Sequence, residues 1–167
     1  REIDLLAVGS LISLKNYSLL IKVISEVVKK FPDVVCKLVG DGPELTKLKD
    51  VSIKYKINRN IEFTGLLSRK DIFKLMQKSK IFLHPSTFEG SGYVFAEALA
   101  NGMNIVSFNV GYAKQSEKWF IAQDDTEFIS LTQKLLSAKL NYEPQNIFPI
   151  SETVTKYHQL YKFNDHK

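Results

Sequence analysis

Six short apolar runs punctuate this chain, and segments of helical period fill most of the gaps between them. The runs are DLLAVGS (4–10), DVVCKLVG (33–40), NIEFTG (60–65), KIFLHPS (80–86), NIVSFN (104–109) and KWFIA (118–122). They are nearly continuous in valine, isoleucine, leucine and phenylalanine, as strands covered on both faces are. The helical segments span 16–31, 44–56, 69–79 and 92–102, with 125–138 and 151–163 following the last run. In the first, Leu19, Leu20, Val23, Ile24, Val27 and Val28 recur at i, i+3, i+4 and define one buried stripe. Strand–helix alternation with connections of a few residues calls for right-handed crossovers and a parallel sheet. The expected fold is α/β: a three-layer, Rossmann-like domain with a doubly wound parallel sheet of about six strands. It is expected to occupy 1–167 as a single domain, because the one loose linker, KLNYEPQNIFP (139–149), is too short to separate two.

A chain of 167 residues that is 44% hydrophobic and 25% charged has the composition of one globular domain with a proper core. No run approaches the roughly 18 apolar residues of a membrane span, and the opening REIDLLAVGS lacks the features of a secretory leader. Cys36 is the sole cysteine and lies in an apolar run, which marks it as a small hydrophobe in a reducing, cytoplasmic setting. The net charge of +5 favours an anionic partner. The lysines are dispersed over helical segments such as LTKLKDVSIKYK, with no basic block interleaved with aromatics, so nucleic acid is not expected. The surplus suits a nucleotide or an anionic membrane surface.

In an open parallel sheet, ligands bind beyond the carboxyl ends of the strands. That edge carries GSLISLKN, GDGPE, TGLLSRKD and HPSTFEGSGY after the first four runs. Glycine at a strand-to-helix junction lets backbone come close to a ligand, and the helix start that follows favours an anion. Gly90 and Gly92 are expected to let the turn present the Ser91, Gly92 and Tyr93 amides to a phosphate, with Lys15 adding a full charge. Glu89 precedes the turn and Glu97 lies one to two turns into the helix, the two acids standing seven residues apart. Carboxylates are strong acceptors for paired hydroxyls. Amides for a phosphate and flanking acids for hydroxyls describe a nucleotide-sugar site. His84, at a strand end with no second histidine nearby in sequence, reads as a structural residue.

FEGSGYVFAEALANGMNIV resembles the EGFGLxxLEAMAxGxPVV motif of the glycosyltransferases of the GT-B fold, the large family 4 set called glycosyl transferases group 1. KLVGDGPELTKLK is similar to that family's xxxGxGPExxxLx, VGSLISLKN to its VGRLxxxKG, and TKYHQLYKF to its closing helix. The resemblance covers nearly the whole chain and points to the donor-binding, C-terminal half of the fold. It implies hexosyl transfer from a UDP- or GDP-linked sugar to a glycan or lipid-linked acceptor, with retention. Glu89 is then the catalytic-centre residue contacting the transferred sugar, and Glu97 the acceptor for the ribose. Gly9, Ser10 and Lys15, with Gly90, Ser91, Gly92, Tyr93 and Val94, surround the diphosphate, and the base lies near Gly65. No metal or other cofactor is implied, because cations and helix amides stabilise the leaving diphosphate. Cell-surface polysaccharide or lipid-linked glycan assembly is the implied setting, in the cytoplasm or at the inner membrane face.

Three positions depart from the family pattern: Ser10 replaces its arginine, Asn16 a glycine and Asn104 a proline. The family's GGxxE region reads VGYAKQSEKWF here, leaving Gly111 as the residue facing the sugar. Loss of the arginine removes a bidentate cation from the diphosphate, so a degenerate, non-catalytic subunit of the same fold is the alternative. An epimerase or phosphorylase of this fold fits the spaced glutamates less well. The acceptor-binding half of the fold has no room in 167 residues, so the chain alone is expected to be inactive.

Overall fold

The computed structural model describes residues 1–90 and 92–147; Ser91 and the expected helix over 151–163 lie outside the described residues. Among the described residues, six strands alternate with five helices. The strands are β1 (Ile3–Val8), β2 (Cys36–Val39), β3 (Ile61–Gly65), β4 (Ser79–His84), β5 (Asn104–Ser107) and β6 (Trp119–Ile121). The helices are α1 (Tyr17–Val27), α2 (Leu45–Lys54), α3 (Arg69–Lys78), α4 (Tyr93–Ala100) and α5 (Asp125–Ser137). All strand pairs are parallel, in the order β3-β2-β1-β4-β5-β6. This is the doubly wound arrangement expected from the alternation.

The apolar runs of the central strands β1, β4 and β5 are continuous because these strands are buried on both sides, whereas the edge strand β3 exposes Glu62. Leu5 and Ala7 of β1 and Ile81 and Leu83 of β4 pack towards α1, α2 and α5. Their neighbours Leu6 and Phe82 pack the other way, with Met76 of α3 and Phe95, Ala98 and Leu99 of α4. The stripe foreseen in the first helical segment is buried through Val27, while Val28 lies beyond the last turn as its C-cap.

Strands are shorter than the runs that announce them. DVVCKLVG enters β2 only at Cys36, because the Val35 carbonyl first accepts bonds from the Asp4 and Leu5 amides, both at 3.0 Å. The first helix starts late as well: a 3-10 turn, Ser13–Lys15, occupies the junction, and Asn16 turns out of it in the left-handed region. Side chains mark two other helix starts. Ser68 caps α3 by accepting from the Asp71 amide, and Asp124 caps α5 by accepting from the Glu127 amide. At the amino edge of the sheet, the buried Lys118 ammonium donates to the Asn141 and Glu143 carbonyls at 2.7 and 2.6 Å. The Arg1 guanidinium there donates to the Met76, Ser79 and Asn101 carbonyls.

Candidate functional site

Strand order reverses at β1 and β4, whose following helices leave to opposite faces, and the carboxyl ends of these two strands are where an open α/β sheet forms its ligand crevice. Two loops line it, one after β1 and one after β4. They are stitched together at Leu14, whose carbonyl accepts from the Thr87 amide at 3.1 Å and from the Ser86 hydroxyl at 3.0 Å. The stitch brings Lys15 onto Glu89, with Nζ paired to Oε1.

The same oxygen takes His84 Nε2 at 2.7 Å. Oε2 carries no hydrogen bond among the described residues. His84 is 2% exposed, stacked on Phe82 at 5.9 Å between centroids and met edge-on by Phe95 at 4.7 Å. The bond from His84, joined by the Lys15 bond and charge, pulls the Glu89 carboxyl down to about 2 against burial, which pushes it up. The acid is therefore held ionised in a place where water is scarce. His84 is buried, as expected of a structural histidine, but it is not fully satisfied: Nδ1 is buried without a partner. The Tyr17 hydroxyl is a second buried polar group without one, and burial together with the Glu89 charge pushes its pKa up. Tyr17 stands behind Gly9, where an added Cβ would come within 2.7 Å of its oxygen.

Helix α4 begins at the mouth of this crevice. Gly92 is its N-cap, with φ 69° and ψ 41° in the left-handed region, and no side chain caps the helix. Phe95 N–H donates back to the Gly92 carbonyl at 3.0 Å, whereas the Tyr93 and Val94 amides have no intrahelical acceptor and lie at the positive end of the helix. A Cβ on Gly92 would meet the Phe95 ring at 2.6 Å, so glycine is required there twice over. Gly90 is different: its φ is not positive and the space about it is open, so only one of the two glycines shapes the turn.

GDGPE adds a packing role that the sequence does not show. A side chain on Gly40 would collide with the Gly9 carbonyl, and one on Gly42 would meet the Leu11 carbonyl at 2.6 Å. These glycines let the second loop brace the first, with Leu11 N–H donating to the Asp41 carbonyl at 2.9 Å. Glu97 lies one turn into α4, a quarter exposed, and is not idle: Arg69 Nη2 of α3 donates to its Oε1 at 2.6 Å. The Arg69 guanidinium also lies over the Phe73 ring at 5.3 Å. Sequence reasoning missed Arg69, although its place just inside TGLLSRKD set it on the correct edge.

Ser10 is exposed in the loop after β1. Gly65 ends β3 with φ 72° and open space around it, beside the exposed Leu66. A hollow of about 670 Å³ adjoins the crevice at the ends of β5 and β6, lined by Asn16, Thr87, Asn109, Val110, Gln123 and Asp124. Gly111 follows Val110 with φ 59°.

The family profile described as "Glycosyl transferases group 1" matches residues 1–128. The chain belongs to this family. It is 36% identical over 105 residues to an uncharacterized glycosyltransferase of Haemophilus influenzae, covering 63% of this chain and 29% of that protein. It is 30% identical over 116 residues to the GtfA component of the Streptococcus agalactiae UDP-N-acetylglucosamine–peptide N-acetylglucosaminyltransferase, covering 70% of this chain and 22% of that protein. The chain thus spans less than a third of either relative. Its fold superposes with a TM-score of 0.75 on a mutant of S. aureus TarM, crystallised with Fondaparinux, alpha-GlcNAc-glycerol and UDP. That match has 19% identity and covers 83% of this chain and 29% of TarM. Among the described residues, no helix is long and apolar enough to cross a membrane.

Proposed function

We propose that this chain is the donor-binding part of a nucleotide-sugar-dependent hexosyltransferase that acts with retention on a glycan or lipid-linked acceptor. One observation carries the reading: Glu89 and Glu97 stand on either side of an uncapped helix start at the switch point of the sheet. The diphosphate lies against the Gly92, Tyr93 and Val94 amides, with Ser91, Gly9 and Lys15 nearby. Glu97 takes the ribose hydroxyls once Arg69 yields it, Glu89 takes a hydroxyl of the transferred hexose, and the base rests near Gly65. Lys15 and the helix amides stabilise the negative charge that builds on the diphosphate as the glycosidic bond breaks. No metal is needed for that step in this reading.

UDP is the favoured carrier, which the UDP complex of the structural neighbour and the UDP-linked sugar of the streptococcal relative support. Acceptor choice falls to protein outside this chain, as the partial coverage of the relatives supports, so the chain alone binds donor without turnover. The net charge of +5 suits peripheral placement at the anionic inner face of a membrane.

The test is to melt the chain with UDP, GDP and ADP. Ligand at 100 times its dissociation constant stabilises by about 2.7 kcal/mol, a rise of roughly 5–10 °C for a domain of this size. One nucleotide should give this shift, and Glu97→Ala should abolish it. Silence with all three at millimolar concentration refutes the reading.

A further inference from the structure

Glu89 depends on two partners of unlike permanence. Lys15 reaches it from a 3-10 turn, with a fifth of its side chain exposed, and a diphosphate arriving at the α4 start competes for that ammonium. A carboxylate left without its cation would sample several rotamers, and a misplaced acceptor contributes little. His84 cannot leave. It is fixed on β4, 2% exposed, and held between Phe82 and Phe95.

The environment of the ring also fixes which nitrogen carries the proton. A proton on Nδ1 would be a buried donor with no acceptor, and would turn the bare Nε2 lone pair onto a carboxylate. The Nε2–H tautomer donates to Oε1 and leaves Nδ1 as a lone pair among aromatic rings. Both protein bonds fall on Oε1, which leaves Oε2 for substrate.

We infer that His84 is the positioning residue of the donor-sugar site, clamping Oε1 of Glu89 through Nε2–H so that Oε2 stays aimed at a hexose hydroxyl when Lys15 turns to the diphosphate. This rests on the reading of Glu89 given above. His84 touches no substrate; it acts through Glu89 alone.

Two variants separate this from plain packing. His84→Phe keeps a ring between Phe82 and Phe95 and deletes the donor; His84→Gln restores an N–H donor at similar reach. Calorimetric titration compares UDP with UDP-N-acetylglucosamine. His84→Phe should weaken the sugar nucleotide about tenfold, as loss of a hydrogen bond to a charged group does. It should change UDP binding less than about twofold, and His84→Gln should recover most of the loss. Equal weakening of both ligands without rescue by glutamine, or no weakening of either, overturns the proposal. If wild-type chain binds neither ligand, the functional reading and the sugar-facing role fall together. The clamp itself is read independently from long-range ¹H–¹⁵N spectra of the ligand-free chain, in which His84→Phe identifies the signal among three histidines. An Nε2–H tautomer whose proton shifts in Glu89→Gln supports the clamp. An Nδ1–H tautomer, or a signal indifferent to Glu89→Gln, refutes it.

Discussion

Replacing Glu89 with glutamine tests the electrostatics of the crevice without a nucleotide. Glutamine keeps a carbonyl oxygen for His84 and Lys15, so the change removes charge more than contact. The carboxyl falls from an ordinary 4.5 to about 2 in the folded chain. Taken at face value this is worth about 3.4 kcal/mol. Glu89 is only 11% exposed but Lys15 is 21% exposed, so water reaching the ammonium screens the pair in part, and about 1.5–2 kcal/mol is the better figure. The sign follows from proton binding. The folded chain holds Glu89 ionised where the unfolded chain protonates it, so the contribution is complete above pH 4.5 and fades as pH falls towards 2. Urea unfolding should show Glu89→Gln about 1.5–2 kcal/mol less stable than wild type at pH 7, with most of that gap closed at pH 2.5. Other carboxylates titrate in both proteins and cancel in the difference. A gap of equal size at both pH values, or none at pH 7, would mean that His84 and Lys15 do not hold the carboxylate down.

Two further substitutions examine the phosphate side of the crevice. Gly92→Ala should cost about 1–2 kcal/mol, from the left-handed backbone alone, read as a lower melting temperature, and should weaken the nucleotide response; an unchanged nucleotide affinity would place the phosphate away from the α4 start. Ser10→Arg should raise the affinity for UDP in calorimetry by returning a bidentate cation, and an unchanged affinity would show that residue 10 does not face the phosphates.

Strand–helix alternation made the sheet legible, because strands buried on both sides leave apolar runs that no amphipathic helix imitates. The motif acids were legible too, since they flank one turn of one segment. Their partners were not. Lys15 and Glu89 are 74 residues apart, and Arg69 and Glu97 are 28 apart. Both meetings depend on strand order, which the local pattern does not encode: β4 must sit beside β1 before the two loops can be stitched at Leu14. The packing roles of the glycines were hidden for a related reason. Gly42 and Gly92 look alike in sequence, yet one makes room for a carbonyl of the neighbouring loop and the other for the Phe95 ring. His84 carried a usable signal, lying five residues before Glu89 across a proline-containing turn that folds the chain back on itself.

Both motif acids are already neutralised by cations from other elements, and this bears on how a ligand enters. The Arg69–Glu97 pair lies at the rim, with Arg69 75% exposed, where an ion pair is worth about 0–1 kcal/mol. Opening it for the ribose hydroxyls of the proposed donor would cost little, and the freed guanidinium would stay in water over Phe73. Lys15–Glu89 is deeper, and parting it outright would strand a carboxylate in a poorly hydrated place, which is costly. If the proposed site is right, the deeper pair yields only by exchange, a phosphate taking the ammonium while His84 keeps the acid in place. In the proposed reading, a chain with Ser10 where the family pattern has arginine leans harder on that exchange, because Lys15 would then be the cation that answers the diphosphate from the β1 loop.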